Sequence, residues 1–185
     1  MKNLYIAIIL ITGLLFVSCR KSSVKKTATT TDSTTVYIVG DEQKATVWKN
    51  GVADYLTDGT IAVGATSMYV NGTDVYVVGT GNIGGIATAK LWKNGIVSNF
   101  SDGTYDAFPY SVFVSGSDVY VAGFTSVLVQ DNQIWSAILW KNGIATTLSA
   151  GSSTVHAMAS SVFVNGTDVY VAGTVSSPAG NIAML

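Results

Sequence analysis

The sequence is poor in the residues that most often build chemical sites. Among its 185 residues are one cysteine and one histidine, which exclude an internal disulfide and a metal centre made of several Cys and His ligands. No arginine follows Arg20, so the usual bidentate clamp for phosphate or carboxylate is missing from the body of the chain. Charged residues make up only 11% and the formal net charge is −1, which argues against a nucleic-acid partner. No metal or cofactor is predicted.

The N-terminus has the layout of a bacterial secretion signal. Lys2 precedes an apolar run from Leu4 to Val17, which is shorter than the roughly 20 residues of a membrane-spanning helix. "FVSC" at 16–19 resembles a lipobox, in which the cysteine is lipidated and becomes the new N-terminus. We therefore expect residues 1–18 to be a signal peptide and Cys19 to be the lipid attachment site. The alternatives are an ordinary signal peptide or an uncleaved anchor.

Residues 19–35 follow as a lysine- and threonine-rich segment with almost no apolar content. Such a composition cannot bury a core, so we expect a disordered tether. The predicted location is the bacterial cell envelope, at the outer membrane or cell surface, with the N-terminal lipid as the membrane contact.

The remaining segment, 36–185, consists of repeats. "SVFVSGSDVYVAG" at 111–123 and "SVFVNGTDVYVAG" at 161–173 agree at eleven of thirteen positions. Trp48, Trp92 and Trp140 each open a Trp-Lys-Asn-Gly motif, at spacings of 44 and 48 residues. Strand-like sequence with a period in the forties is typical of β-propeller blades.

Each repeat divides into four strands. In the third repeat "SVFV" is the first strand, "VYVAG" the second, "AILWKN" the third and "IATTL" the fourth. A variable exposed loop is expected between the second and third strands. The fold predicted is all-β, with about three four-stranded, propeller-like blades. "DVYVAG" is apolar on both faces, and stacked blades would cover both.

The repeated polar residues are predicted to be structural. Asn-Gly pairs accept the positive φ of tight hairpin turns, and the aspartates beside other turns are interpreted as side-chain acceptors that stabilise them rather than as calcium ligands. The tryptophans are expected to pack between blades or near a rim, as structural residues rather than as a stacking surface for a ligand. The predicted turn residues are Asn50, Gly51, Asn94, Gly95, Asn142, Gly143, Asp74, Asp118 and Asp168.

The strand order resembles that of kelch-type propellers, although the Gly-Gly pair of that family is absent from most repeats. The chain is more similar to bacterial lipoproteins whose repeats carry "WKNG" and "DVYVAG" in this order. This resemblance covers 36–185 and implies a propeller-like fold, but no particular activity.

Three features of the sequence resemble chemical motifs. "GTGNIG" at 79–84 matches a dinucleotide fingerprint but is followed by a predicted strand instead of the helix that such a site needs. His156 is placed on a connection between blades, where the other repeats have Gly64 and Phe108, and no nucleophile-elbow sequence supports a triad. Asp58 and Asp102 recur at equivalent positions, which favours turns over a glycosidase acid. No catalytic residue is therefore predicted.

The leading function is a non-catalytic scaffold that binds a protein or a glycan at its rim loops. The alternatives are a fragment of a glycan-active envelope enzyme, with its catalytic residues in further blades, and a truncated product without function. "NIAML" at 181–185 corresponds to the residues before Trp92 and Trp140. An array truncated at its C-terminus is therefore expected, with exposed blade faces that self-associate.

Overall fold

The computed structural model describes residues 35–41, 44–59 and 64–185. All regular structure in these ranges is β-strand, in four separate antiparallel sheets. Residues Thr35–Leu185 belong to one compact unit. The predicted signal peptide, Cys19 and the tether up to residue 34 lie outside the described residues.

The four sheets follow one another along the chain. Their strands are, in sheet 1, β1 (Tyr37–Asp41), β2 (Ala45–Lys49) and β3 (Val52–Tyr55); in sheet 2, β4 (Gly64–Asn71), β5 (Asp74–Ile83), β6 (Ile86–Lys93) and β7 (Ile96–Asn99); in sheet 3, β8 (Asp106–Ser115), β9 (Asp118–Val129), β10 (Asn132–Lys141) and β11 (Ile144–Ser149); and in sheet 4, β12 (His156–Asn165), β13 (Asp168–Ser177) and β14 (Gly180–Met184). Within each sheet, neighbouring strands are consecutive in the chain.

The sheet count differs from the expected three four-stranded blades. Sheets 2 and 3 have four strands, whereas sheets 1 and 4 have three. In sheet 1 the segment "TVYIVG" supplies β1, which corresponds to the second strand of the other sheets and, among the described strands, pairs only with β2. The sequence predicts too few sheets because a sheet made from part of a repeat still pairs and packs like its neighbours.

The prediction of a variable loop between the second and third strands is wrong. In sheet 3, β9 and β10 remain paired up to Val129 and Asn132 and are joined by a two-residue turn at Gln130 and Asp131. In sheet 2 the same turn is Gly84-Gly85. The repeats thus differ in the length of a hairpin, because each added residue on one strand finds a hydrogen-bonding partner on the other.

A β-bulge explains why each "VYVAG"-type segment has glycine at its last position, which lies within the second strand. The register between first and second strands shifts between Ala65 and Ser67 in sheet 2 and at the equivalent places in sheets 3 and 4. Opposite the bulge of sheet 3 lies Gly123. A Cβ atom there would collide with the carbonyl oxygen of Phe108 and lie 2.9 Å from the Cα of Pro109. Only glycine allows the backbones this close approach.

Successive sheets pack face to face. One apolar cluster joins sheets 1 and 2, a second joins sheets 2 and 3, and a third joins sheets 3 and 4. A serine on the first strand of sheets 2 and 3 also contacts the next sheet: the backbone N–H of Val112 donates to Oγ of Ser67 at 3.3 Å, and that of Val162 donates to Oγ of Ser111 at 3.2 Å. The same residue type at the same register therefore makes both of these contacts.

Candidate functional site

The asparagine of each Trp-Lys-Asn-Gly motif fastens its hairpin to the neighbouring strand. Asn142 has φ 53° and Gly143 φ 83°, the left-handed conformation of the tight turn. The side-chain oxygen of Asn142 accepts a hydrogen bond from the N–H of Val119 at 2.8 Å, and its backbone N–H donates to the Val119 carbonyl at 2.9 Å. Asn94 and Asn50 make the same pair of bonds, to Val75 and Val36.

Two of the three predicted aspartates, Asp74 and Asp118, contact the Trp-Lys-Asn-Gly hairpin that follows in the same sheet. Asp118 accepts a hydrogen bond from Nδ2 of Asn142 at 2.9 Å and forms an ion pair with Nζ of Lys141 at 2.7 Å. The same lysine lies over the ring of Tyr120, 5.1 Å from its centroid. Asp74 repeats these contacts in sheet 2 with Asn94 and Lys93.

These contacts lower the pKa of both aspartates. For Asp118 the bond from Lys141 is the main cause and the bond from Asn142 the next, since both donors favour the ionised carboxylate. For Asp74 the order is Asn94 and then Lys93. In sheet 4, the side chain of Asp168 has no hydrogen-bond or ion-pair partner among the described residues.

The tryptophan of the motif lies between sheets, as the sequence predicted. Trp92 packs with Ala45 and Val47 of sheet 1, and Trp140 packs with Val78 and Leu91 of sheet 2. Both indoles are almost completely buried. The four residues thus have separate structural roles. Trp fills the space between sheets, and Lys contacts aspartate and tyrosine. Asn hydrogen-bonds the hairpin to the neighbouring strand, and Gly adopts the positive φ of the turn.

A cluster of five aromatic side chains lies at one end of sheets 3 and 4, where β8 and β12 begin and the β9–β10 hairpin extends. Ring centroids are separated by 4.8 Å for Phe108 and Phe124, 5.6 Å for Tyr110 and Phe124, 5.1 Å for Phe124 and Trp135, and 5.0 Å for Trp135 and His156. We call Phe108, Tyr110, Phe124, Trp135 and His156 the aromatic rim. Tyr110 is exposed, and Trp135 and His156 are half-buried.

Two polar atoms of the aromatic rim are not hydrogen-bonded within the described structure. Nε1 of Trp135 and Nδ1 of His156 are both buried and have no partner. Most buried polar atoms in folded proteins have a hydrogen-bond partner. The aromatic rim therefore combines ring faces with unsatisfied ring nitrogens.

The position of His156 corrects the sequence analysis. His156 is the first residue of β12 and pairs with Ser176, so it does not lie on a connection. The residue at the same register in sheet 3 is Asp106, which pairs with Ser126, and not Phe108. The expected connection was too long because the first strands start several residues before "SVFV".

The other candidate motifs, around Asp102 and at 79–84, have local structural roles. Asp102 accepts a hydrogen bond from the N–H of Thr104 at 2.9 Å, which lowers the pKa of its carboxyl group. Gly79–Gly84 lies mainly in β5, and the strand β6 follows it. Within the described ranges, no group of three or more His, Cys, Asp or Glu side chains could hold a metal ion.

Three cavities of similar size lie along the boundaries between sheets. One of about 280 Å³ is bordered by Val47 of sheet 1 and Val77 of sheet 2, and one of about 310 Å³ by Tyr105 and Trp140. The third, of about 300 Å³, lies between sheets 3 and 4 and has an apolar lining that includes Leu148 and Val169.

Comparison with protein families and with curated proteins gives no match for this chain. The part of the chain that the structure describes contains no helix long and apolar enough to cross a membrane.

Sequence reasoning missed the aromatic rim. A signal was present, because Phe124 and Trp135 are aromatic residues at positions where the other repeats have none, and they stand in the longest second-to-third-strand segment. What concealed the site was the assignment of this segment to a loop, since residues in a loop are not expected to align with neighbouring strands.

Proposed function

We propose that the chain is a lipid-anchored protein of the bacterial cell envelope, in which a propeller-like array of blades acts as a non-catalytic binding scaffold. The four sheets are its blades, and a glycan contacts the aromatic rim. The observation that carries the proposal is the cluster of aromatic rings, in which Tyr110 is exposed and Trp135 and His156 are partly exposed.

The chemistry of the aromatic rim favours a sugar ligand. A sugar ring presents axial C–H groups that pack on aromatic faces such as the exposed ring of Tyr110. Phe124, which is buried, supports Trp135 and Tyr110 from behind. This support holds the rings in place before binding, which reduces the entropy lost on association.

The binding proposal is tested with the full chain against a panel of immobilised bacterial and plant polysaccharides. We expect Trp135→Ala to weaken retention on the bound polysaccharide by at least about tenfold, because aromatic anchors dominate such contacts. Tyr110→Ala should have a smaller effect in the same direction. Tyr55→Ala is the control, since Tyr55 is an exposed tyrosine of sheet 1 remote from the rim.

The results have distinct meanings. Retention that is unchanged by Trp135→Ala, in a protein whose thermal unfolding is also unchanged, would contradict the rim as the binding site. Binding of an envelope protein instead of any polysaccharide, with the same sensitivity to Trp135→Ala, would keep the site and replace the ligand class.

The anchor is tested separately. "FVSC" predicts that Cys19→Ala moves the protein from the membrane fraction to the soluble fraction or leaves an unprocessed precursor. Membrane retention with normal cleavage in the variant would rule out lipidation at Cys19.

A further inference from the structure

The cavity between sheets 1 and 2 combines an apolar wall with two opposite charges. Val47 and Leu56 of sheet 1 and Val77 of sheet 2 form part of the apolar wall, and Lys49 and Asp54 also line the cavity. Its volume of about 280 Å³ lies just below the range of drug-sized ligand sites, roughly 300–1,000 Å³. A small ligand that carries both charges and an apolar group would match this lining.

One change of side chain accounts for the space in this cavity. Leu56 and Phe100 occupy equivalent positions, since the backbone N–H of Leu56 donates to the carbonyl of Ala45 and that of Phe100 to the carbonyl of Ala89, each at 2.8 Å. The Phe100 ring is buried in the cluster between sheets 2 and 3. Because leucine is smaller than phenylalanine, Leu56 leaves room at the boundary of sheets 1 and 2 that an aromatic ring occupies at the next boundary.

The lysine of the cavity lacks the carboxylate partner of its counterparts. In sheet 2, Lys93 forms an ion pair with Asp74 at 2.9 Å. Sheet 1 has Thr35 at the place of this aspartate. Among the described residues Lys49 therefore has no ion-pair partner, and its Nζ lies over the ring of Tyr37, 5.5 Å from the centroid. Lys49 is thus able to bind a carboxylate of a ligand where Lys93 binds a carboxylate of the chain.

The aspartate of the cavity is specific to sheet 1. Asp54 pairs with Val47, and the residue at this register in sheet 2 is Ser98. Lys49 and Asp54 are diagonal neighbours on one face of β2 and β3, a relation that places residues about 7–8 Å apart. They form no ion pair with each other, and the Asp54 carboxylate has no hydrogen-bond partner in the part of the chain that the structure describes. The two charges therefore border the cavity at separate points.

We propose that the cavity between sheets 1 and 2 binds a small aliphatic α-amino acid as its zwitterion. The carboxylate of the amino acid binds Nζ of Lys49, and its ammonium group binds the carboxylate of Asp54. Its side chain packs against Val47, Leu56 and Val77. An amino acid suits these charges because its own two charged groups are attached to one carbon atom. The site is distinct from the aromatic rim and depends on neither the proposed glycan binding nor the proposed lipid anchor.

The test is a titration of L-leucine with the full chain, followed by the NMR signals of the leucine methyl groups. We expect saturable binding. Lys49→Gln and Asp54→Asn should each weaken this binding about fivefold, as for the loss of one exposed charge pair. Lys93→Gln is the matched control and should leave binding unchanged, since Lys93 is paired with Asp74 and does not line the cavity.

Leu56→Phe tests the cavity itself. The variant gives sheet 1 the side chain that sheet 2 has as Phe100, so we expect the melting temperature to be maintained. Binding of L-leucine should weaken by at least about tenfold, because the ring occupies the space that the side chain of the ligand needs. Unchanged binding in this variant would overturn the proposal. The exposed charge variants provide the same decision independently of how well Leu56→Phe folds.

Two analogues of leucine test which charges are recognised. L-leucinamide lacks the carboxylate and N-acetyl-L-leucine lacks the ammonium group, so each should bind about fivefold more weakly than L-leucine. Lys49→Gln should not weaken the binding of leucinamide further, and Asp54→Asn should not weaken that of N-acetyl-leucine, because the ligand charge that each residue contacts is already absent. No binding of L-leucine, equal binding of all three compounds, or unchanged L-leucine binding in Lys49→Gln would overturn the proposal.

Discussion

Sheets 3 and 4 contain one identical hexapeptide in two different environments. Asp-Val-Tyr-Val-Ala-Gly occupies 118–123 of β9 and 168–173 of β13, with the same pairing to the first strand and the same bulge. Tyr120 is nevertheless 7% exposed and Tyr170 45%. Sheet 3 packs between sheets 2 and 4, whereas sheet 4 packs against sheet 3 alone among the described elements. Local sequence is therefore sufficient for the strand, but burial depends on the neighbouring sheet.

The largest expected difference comes from the two tyrosines. Tyr120→Ala removes a buried ring from the boundary of sheets 3 and 4, which we expect to lower the free energy of unfolding by about 3 kcal/mol. Tyr170→Ala removes a ring that is already half in water and should cost less than about 1 kcal/mol. Urea denaturation of both variants measures the difference. Equal losses would mean that the outer face of sheet 4 is covered in solution.

The two glycines should instead behave alike. Gly123 and Gly173 lie opposite equivalent bulges, and an added Cβ atom would collide with the carbonyl oxygens of Phe108 and Met158. We expect either change to alanine to cost about 2 kcal/mol in thermal or urea unfolding, since backbone atoms cannot move aside. Gly81→Ala is the control with a smaller loss, because its Cβ would meet only the flexible side chain of Lys90. A neutral Gly173→Ala would show that the bulge of sheet 4 relaxes.

The asparagine contacts distinguish the sheets again. Asn142→Ala leaves the N–H of Val119 without its side-chain acceptor and places a Cβ residue at φ 53°, so we expect a loss of about 1.5 kcal/mol in the free energy of unfolding. Asp118→Ala should lower the melting temperature, since it removes the partner of Lys141 and Asn142. Asp168→Ala should leave it unchanged. A drop of equal size in Asp168→Ala would contradict the difference between the two carboxylates.

The smallest expected effect is a change in the melting temperature at acidic pH. The pKa values of Asp74 and Asp118 are lowered in the folded chain, so their stabilisation is complete above the unfolded pKa, near 4, and is lost as the pH falls through the lower folded pKa. The melting temperature of Asp74→Asn/Asp118→Asn should therefore fall less steeply below about pH 4 than that of the unaltered chain. High salt should reduce the difference because both pairs are exposed. A melting temperature that falls equally steeply with pH in both proteins would contradict these pairings.

Much of the fold was predictable because its signals are local. Asn-Gly pairs specify their own turns, since few residues accept positive φ, and runs such as "VYVAG" specify strands. The position of Trp140 between sheets could also be predicted, because a large apolar residue recurring once per repeat must lie at a repeated boundary. The lengths of the strands could not be predicted, since pairing beyond the apolar core depends on the partner strand.

The aromatic rim could not be predicted in the same way. Phe124 and Trp135 are distant in the chain, yet their rings contact each other because β9 and β10 pair through a long hairpin. His156 reaches Trp135 only because β12 packs against sheet 3. Neither contact has a repeat elsewhere in the sequence from which it could be inferred.

The sequence by itself determined the all-β class, the repeat and the tight turns, because each of these follows from a residue's own backbone preference or from its neighbours along the chain. The tertiary structure alone decided which of two identical strands is covered, which aspartates find a lysine, and which aromatic rings meet. The first outcome depends on the sheet that packs alongside, and the other two depend on which strands pair and how far the pairing extends. The sequence around a residue specifies neither.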